Sequence, residues 1–97
     1  MAKYDLTNNT LTAHGQLYTQ INATSTTVKT GAGRLSRIVV VLGTGAITAY
    51  DNTAASGTVL WTKAAVVVGD IYEIDIPATT GITVTVAAST TANVVYT

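Results

Sequence analysis

Residues 71–77 read Ile-Tyr-Glu-Ile-Asp-Ile-Pro and residues 81–86 read Gly-Ile-Thr-Val-Thr-Val, and in both segments apolar and polar side chains alternate. Alternation with a period of two places successive side chains on opposite faces, which is the pattern of a half-buried β-strand. The first segment directs Tyr72, Ile74 and Ile76 to one face, and its proline is predicted to end the strand. These segments therefore predict two short β-strands separated by a turn.

The same alternation recurs along most of the chain. No stretch shows apolar residues at helical spacing over ten or more positions, whereas turn residues return at intervals of about ten. Short strands at that spacing are typical of a β-sandwich. We predict an all-β fold, a single antiparallel β-sandwich (jelly-roll or Ig-like) of seven or eight strands over residues 16–97, with an N-terminal arm over residues 1–15. The predicted strands cover residues 17–21, 26–29, 34–42, 47–50, 58–63, 71–76, 82–86 and 94–96.

The alternation also predicts which side chains form the core. Val59 and Trp61 are predicted to share one face of their strand, and the second half of strand 34–42 is predicted to be buried on both faces. Residues 31–33 (Gly-Ala-Gly) are interpreted as hairpin residues, because a strand follows them instead of the helix that a dinucleotide-binding loop requires. The main predicted core consists of Val39, Val41, Trp61, Tyr72, Ile74, Ile76, Val84 and Val86.

The charge balance argues against several classes of partner. The 97 residues include five basic and five acidic side chains, so the formal net charge is zero. A nucleic-acid-binding protein normally carries a basic face, and a membrane-surface protein carries a basic amphipathic helix. We therefore expect neither nucleic acid nor a membrane as a partner. A weakly charged, threonine-rich surface is instead typical of a protein that packs against neighbours.

Residues that could carry catalysis or bind a metal are few. His14 is the only histidine, and a lone histidine lacks the partners of a nucleophilic triad and the further ligands of a tetrahedral metal site. Glu73 and Asp75 share a strand face, as the paired carboxylates of glycosidases must, but two charges on an outward face more often protect a sheet edge. We predict no catalytic, metal-binding or cofactor-binding residue, no cofactor, and no enzymatic activity.

Two further groups leave alternatives open. Asp51, Asn52 and Thr53 could bind calcium through carboxylate and amide oxygens, or they could form a turn through side-chain bonds to the backbone. Trp61 could form a sugar-stacking platform with tyrosines of the chain, or it could belong to the core. Its apolar position in the alternating pattern favours the core.

Three strand-and-turn segments resemble a known group of proteins. They are residues 26–38 (TTVKTGAGRLSRI), 47–58 (ITAYDNTAASGT) and 81–86 (GITVTV). They resemble small structural proteins of tailed bacteriophages, such as head decoration (cement) proteins and head or tail accessory proteins, and the resemblance covers residues 17–97. It implies a virion protein built on a β-sandwich, usually oligomeric and without enzymatic activity.

The composition and the resemblance together predict a bacteriophage virion structural protein. We expect a capsid decoration (cement) protein that binds the outside of the head and stabilises the shell. Its expected partners are the major capsid protein and further copies of itself, with a homotrimer preferred over a dimer. We expect synthesis in the host cytoplasm, since the N-terminus has no apolar signal core, and location on the capsid surface of the virion. The alternative is a tail or head accessory module that binds host-surface carbohydrate or a receptor.

The N-terminal arm is the expected contact with neighbouring proteins. Turn residues interrupt any regular element within residues 1–15, so we predict that the arm lies along a neighbouring subunit or the capsid surface. Main-chain hydrogen bonds to a sheet edge would supply affinity there. The predicted interface residues are four spaced apolar anchors and the histidine, namely Tyr4, Leu6, Leu11, His14 and Leu17.

Overall fold

Eight β-strands form the regular structure in the computed structural model, which describes residues 17–22 and 24–97. No helix occurs among these residues. The all-β fold class is confirmed, and each predicted strand position corresponds to an observed strand. The strands are β1 (Leu17–Ile21), β2 (Ser25–Thr30), β3 (Gly33–Leu42), β4 (Ile47–Asp51), β5 (Thr58–Lys63), β6 (Ile71–Ala78), β7 (Gly81–Val86) and β8 (Thr91–Tyr96).

The strands form two four-stranded sheets, with the orders β1-β8-β3-β6 and β2-β7-β4-β5. The chain resembles one long hairpin that turns between β4 and β5, because β1 pairs with β8, β2 with β7, β3 with β6 and β4 with β5, all antiparallel. Pairing of β3 with β8 and of β4 with β7 completes the sheets. Within the described chain, only β4 and β5 are consecutive strands in the same sheet. This topology is a jelly roll, and it decides between the two predicted sandwich architectures.

The connection at residues 31–33 differs from its prediction as a hairpin. It joins β2 to β3, and these strands belong to different sheets. Gly31 has a φ of 90°, which favours glycine. Its N–H donates to the carbonyl of Thr80, at 2.9 Å. The segment is therefore a corner that carries the chain from one sheet to the other.

The hydrophobic core lies between the two sheets. Val84 and Val86 are buried, which confirms the predicted inner face of β7. Tyr72 and Ile74 are half-buried and pack against the core, and Ile76 is half-buried as well. The alternation predicted for β6 is therefore confirmed. The largest fully buried side chains are Ile21, Leu35, Ile38, Ile47, Ile82, Val40, Val66, Val84, Val94, Thr83 and Thr90.

A β-bulge resets the alternation of β3. The register of β3 against β8 shifts between Leu35 and Arg37, so Ser36 is an inserted residue. Before the bulge Leu35 is buried, and after it Ile38 and Val40 are buried. A one-residue insertion exchanges the two faces for every residue that follows it.

This bulge makes the predicted core positions of β3 wrong. Val39 is half-buried, and Val41 is 41% exposed. Leu42 is 59% exposed, so the second half of β3 is not buried on both faces. Val39 and Val41 lie on the face of β3 that points away from the sandwich interior, and Leu42 follows a second register shift against β8, between Val40 and Leu42.

A second bulge overturns the prediction that Val59 and Trp61 share a face. In the register of β5 against β4, Ala49 pairs with Trp61 and Tyr50 pairs with Val59, so Leu60 is the inserted residue. Trp61 packs against the core, as predicted, whereas Val59 is 48% exposed. The face of β5 therefore changes at the bulge.

The proline of β6 does not end its strand. β6 continues to Ala78, and Pro77 pairs with Arg34 of β3. β6 is an end strand of its sheet, where the missing N–H of a proline is tolerated because it can face away from the ladder.

Adjacent valines of β3 test the reset alternation. We expect Val40→Ala to lower the free energy of unfolding by about 2–3 kcal/mol, because the side chain is buried and its loss leaves a cavity. Val41→Ala should cost less, about 1 kcal/mol or below, since Val41 is 41% exposed and its truncation leaves no enclosed cavity. Urea denaturation of both variants measures the difference. Equal costs, or a larger cost at Val41, would contradict the bulge at Ser36.

Candidate functional site

An exposed apolar surface lies at one corner of the sandwich, where β3 ends and β6 begins. We call it the apolar corner. Its five aliphatic side chains are between 41% and 59% exposed. Its members are Val41, Leu42, Val67, Val68 and Ile71.

Backbone hydrogen bonds hold the loop of the apolar corner beside the end of β3. The N–H of Val40 donates to the carbonyl of Asp70, at 3.0 Å, and the N–H of Gly69 donates to the carbonyl of Val40, at 2.9 Å. The N–H of Asp70 donates in turn to the carbonyl of Val67, at 3.0 Å, which closes a turn. Gly69 has a φ of 89°, in the left-handed region that this turn requires. The exposed valines are therefore held by defined backbone contacts.

Buried and aromatic residues anchor the same loop from below. Val66 is 1% exposed, and its N–H donates to the carbonyl of Gly45, at 3.3 Å. The hydroxyl of Tyr72 accepts a hydrogen bond from the N–H of Val67, at 3.3 Å, and donates to Oδ2 of Asp70, at 3.2 Å. One valine of the triplet 66–68 thus enters the core, and the other two remain outside.

The apolar corner is large enough to mark an interaction site, but it is too small to form a stable interface by itself. Its side chains present on the order of 400 Å² of apolar surface, within the range of the largest patches on monomeric proteins. A standard stable interface buries about 800 Å² on each partner. The corner therefore fits a weak contact, or one part of a larger one.

Two ion pairs join β3 and β6 on the surface of their sheet. Arg34 Nη1 lies 3.0 Å from Asp75 Oδ1, and Arg37 Nε lies 3.8 Å from Glu73 Oε2. The carboxylates that could have formed a catalytic pair are thus each beside an arginine, with side-chain exposures of 76% and 75%. Exposed ion pairs contribute about 1 kcal/mol or less. Their arrangement balances charge along β3 and β6.

Asp51 has the most hydrogen bonds of the candidate residues. Its carboxylate accepts from the N–H groups of Thr79 (3.1 Å), Thr80 (2.8 Å) and Gly81 (3.4 Å) and from Oγ1 of Thr79 (3.0 Å). These hydrogen bonds lower the pKa of Asp51 from its usual value. The bond from the N–H of Thr80 has the largest effect, followed by the bond from the N–H of Thr79. The side chain thereby fastens the end of β4 to the connection between β6 and β7.

The neighbour of Asp51 forms a local turn. Asn52 Nδ2 donates to the carbonyl of Ser56, at 2.9 Å, and Asn52 Oδ1 accepts from the N–H of Thr53, at 2.8 Å. These bonds agree with the turn alternative for residues 51–53. The oxygens proposed as calcium ligands are already hydrogen-bonded to the protein.

Trp61 is partly buried and packs against the core, so it is neither a fully buried core residue nor a fully open sugar-stacking platform. Its ring is 5.3 Å from that of Tyr72, centroid to centroid, and tilted by 39°. Nζ of Lys63 is 5.8 Å from the Tyr72 ring. Both rings are half-buried and pack against the core, where they join the end strands β5 and β6 of opposite sheets. They close one side of the sandwich.

The predicted arm residues fall mostly outside the described residues. This applies to Tyr4, Leu6, Leu11 and His14. Leu17 is the first residue of β1, where it is half-buried and packs against the core.

The apolar corner was not predicted from the sequence. A signal was present, because residues 64–68 form a continuous run of alanine and valine immediately before a turn glycine. An unbroken apolar run between two strands does not fit the alternation of its neighbours. The bulges that expose Val41 and Leu42 have no comparable signal.

Within residues 17–22 and 24–97, histidine, aspartate and glutamate side chains form no group of three that could hold a metal ion. No cleft opens in this part of the molecule, and none of its segments is a helix long and apolar enough to cross a membrane. Comparison of the chain with models of known protein families, with curated proteins and with solved structures found no match.

The hydrogen bonds of Asp51 predict a pH-dependent contribution to stability. Because the folded-state pKa is lowered, the contribution is present at neutral pH and is lost as the pH falls through the lowered pKa, below about 4. We expect Asp51→Asn to unfold at lower urea concentration than the unmodified protein at pH 7, and the difference to shrink below pH ~4. Asp75→Asn is the control, since its carboxylate has one exposed arginine partner. A difference that stays constant down to pH ~2 would contradict this role.

Proposed function

We propose that the chain is a structural protein of a bacteriophage virion, a capsid decoration (cement) protein that binds the outside of the head and stabilises the shell. Its proposed partners are the major capsid protein and further copies of itself. The observation that carries the proposal is the apolar corner, an ordered apolar surface on a sandwich whose described residues form no cleft. Such a surface suits contact with another protein better than binding of a small molecule.

The size of the corner fits a shell of many copies. A contact that buries a few hundred Å² is weak alone, but symmetric repetition on a particle raises the effective concentration of each further contact. The formal net charge of zero keeps repulsion between adjacent copies small. A protein with these properties would bind a lattice of sites firmly while each single contact stays modest.

The fold and the sequence resemblance support the same proposal. Jelly rolls occur among viral capsid domains, although the fold also serves lectins and other proteins, so this support is an analogy. The resemblance of residues 26–38, 47–58 and 81–86 to tailed-phage structural proteins favours the virion over other settings. It also favours a homotrimer, since cement proteins of this kind often sit on threefold positions, with a dimer as the alternative.

The second candidate, a tail or head accessory module that binds carbohydrate or a receptor, would depend on Trp61, Tyr72 and Lys63. The rings of this group pack against the core, and the Tyr72 hydroxyl already has two hydrogen-bond partners. Sugar stacking needs an open aromatic face. This favours the decoration role.

Two exposed valines test the role of the apolar corner. We expect Val68→Ser to weaken binding to heads that lack the protein by about 1 kcal/mol per contact, roughly fivefold, because less apolar surface is buried. Val59→Ser is the matched control, since Val59 is 48% exposed and Val68 50%, and Val59 lies outside the corner. Co-sedimentation with heads measures both. If the two variants and the unmodified protein bind heads equally, the apolar corner is not part of the contact.

Deletion of residues 2–15 tests the arm. The β-type far-ultraviolet spectrum should remain, because the eight described strands lie within residues 17–96, while head binding should fall sharply. A truncated protein that decorates heads as well as the full chain would show that the sandwich alone carries the contact. Labelling of intact particles with gold-conjugated antibody separates decoration from a tail module, since decoration predicts label on the head and a tail module predicts label on the tail.

A further inference from the structure

The loop between β5 and β6 carries part of the apolar corner between two charges of opposite sign. Residues 63–70 read Lys-Ala-Ala-Val-Val-Val-Gly-Asp. Lys63 is the last residue of β5, and Asp70 lies immediately before β6. Both residues are exposed, as are Val67 and Val68 of the corner. The exposed valines therefore lie between a positive and a negative charge along the chain.

Tyr72 positions both charges beside the corner. Nζ of Lys63 lies 5.8 Å from the centre of the Tyr72 ring. The Tyr72 hydroxyl donates to Oδ2 of Asp70, at 3.2 Å, and accepts from the N–H of Val67, at 3.3 Å. One half-buried ring thus contacts the cation, the anion and the backbone of the exposed loop. Groups that are held in place before binding lose less conformational entropy when a contact forms.

Neither of these charges is neutralised by another side chain. The two ion pairs among the described residues join other side chains, on β3 and β6. Within residues 17–22 and 24–97, Lys63 and Asp70 have no ion-pair partner. One cation and one anion at the rim of the corner are therefore available to a partner.

We propose that the apolar corner binds the same corner of a second copy of this chain about a twofold axis, with Lys63 of each copy beside Asp70 of the other. A twofold contact joins the same surface of both copies, so its charges must complement themselves. Two 63–70 loops that run antiparallel meet this condition, because the positive end of each lies at the negative end of the other. This inference rests on the proposed function: it assigns the corner to a second copy, and it selects the dimer over the trimer.

The size of the corner predicts a weak dimer. Two corners together bury on the order of 800 Å² of apolar surface, and the exposed Ala64 and Ala65 extend the contact along the loop. Stable interfaces bury about 1,200 Å² or more in total, and smaller ones are weak. We therefore expect a dissociation constant on the order of 100 µM in solution. Copies that are fixed side by side on a shell would form the contact more completely, because their effective concentration is higher.

Reversal of the two charges tests the pairing. Lys63→Glu places two anions opposite each other at both ends of the symmetric contact, and Asp70→Lys places two cations there. Each variant should dimerise about tenfold more weakly, because two attractive pairs become repulsive. The double variant, Lys63→Glu with Asp70→Lys, restores both pairs with the opposite polarity and should dimerise within about twofold of the unmodified protein. A capsid partner would keep its own charges, so this recovery is specific to a contact between copies.

Sedimentation velocity at protein concentrations from about 10 µM to about 1 mM measures the dissociation constants. Lys29→Glu is the matched control, since it makes the same change of charge on β2, in the sheet that does not contain β3 and β6. It should dimerise as the unmodified protein does. Urea denaturation verifies that each variant is folded. Lys63→Glu keeps the hydrogen bond between Tyr72 and Asp70, so it tests the pairing even if Asp70→Lys is unstable.

Several results would overturn the inference. An unmodified protein that stays monomeric over this range, or forms a trimer, would contradict the twofold contact. A double variant as weak as the single variants, or a Lys63→Glu variant that dimerises normally, would contradict the charge pairing. A Val68→Ser variant with an unchanged dissociation constant would place the contact outside the corner. Head binding is a separate readout, and its absence in an unmodified protein that dimerises would contradict the proposed function instead.

Discussion

The bulge at Ser36 in β3 decides which side chains of this strand reach the core. β3 pairs with β8 on one side and β6 on the other, so its faces determine the two faces of that sheet. After the bulge Ile38 and Val40 are buried, and Val41 and Leu42 are left at the surface. The register of β3 against β8 shifts a second time between Val40 and Leu42. The core positions of β3 follow from the first insertion, and the adjacent exposed residues Val41 and Leu42 lie at the second.

The same arrangement connects stability to the proposed contact. Val40 is buried, and its N–H and C=O hold the 69–70 turn that presents Val67 and Val68. The exposed valines therefore do not depend on a free loop for their position. An apolar surface that is ordered before binding loses less conformational entropy when it meets a partner. This favours a constant structural contact, as in a particle lattice, over an adaptable one.

Sequence patterns predicted the positions of the strands because each strand is a local feature with its own alternation and its own turn residues. They left the jelly roll and the Ig-like sandwich as alternatives, since pairing of β1 with β8 or β2 with β7 joins residues far apart in the chain. The bulges at Ser36 and Leu60 carry no distinct residue type, and both made predicted faces wrong. The hydrogen bonds of Asp51 could not be predicted from the sequence either, because their partners lie about 30 residues further along the chain.

The predictions for function had a different basis. Composition argued against catalysis, nucleic acid and membranes, and the resemblance supplied the virion setting. The strands at the sheet ends became known only with the sheet order, because an end strand cannot be distinguished from a central one by its alternation. Lys29, Lys63 and Pro77 lie on end strands, β2, β5 and β6, where charged side chains and prolines discourage the addition of another strand.

A cryo-electron microscopy reconstruction of intact particles that carry the protein would locate the proposed contact directly. We expect density for the sandwich on the outer surface of the head, with Val67, Val68 and Ile71 against the shell or an adjacent copy. Density for the sandwich on the tail, or on the head with these three side chains facing solvent, would contradict it.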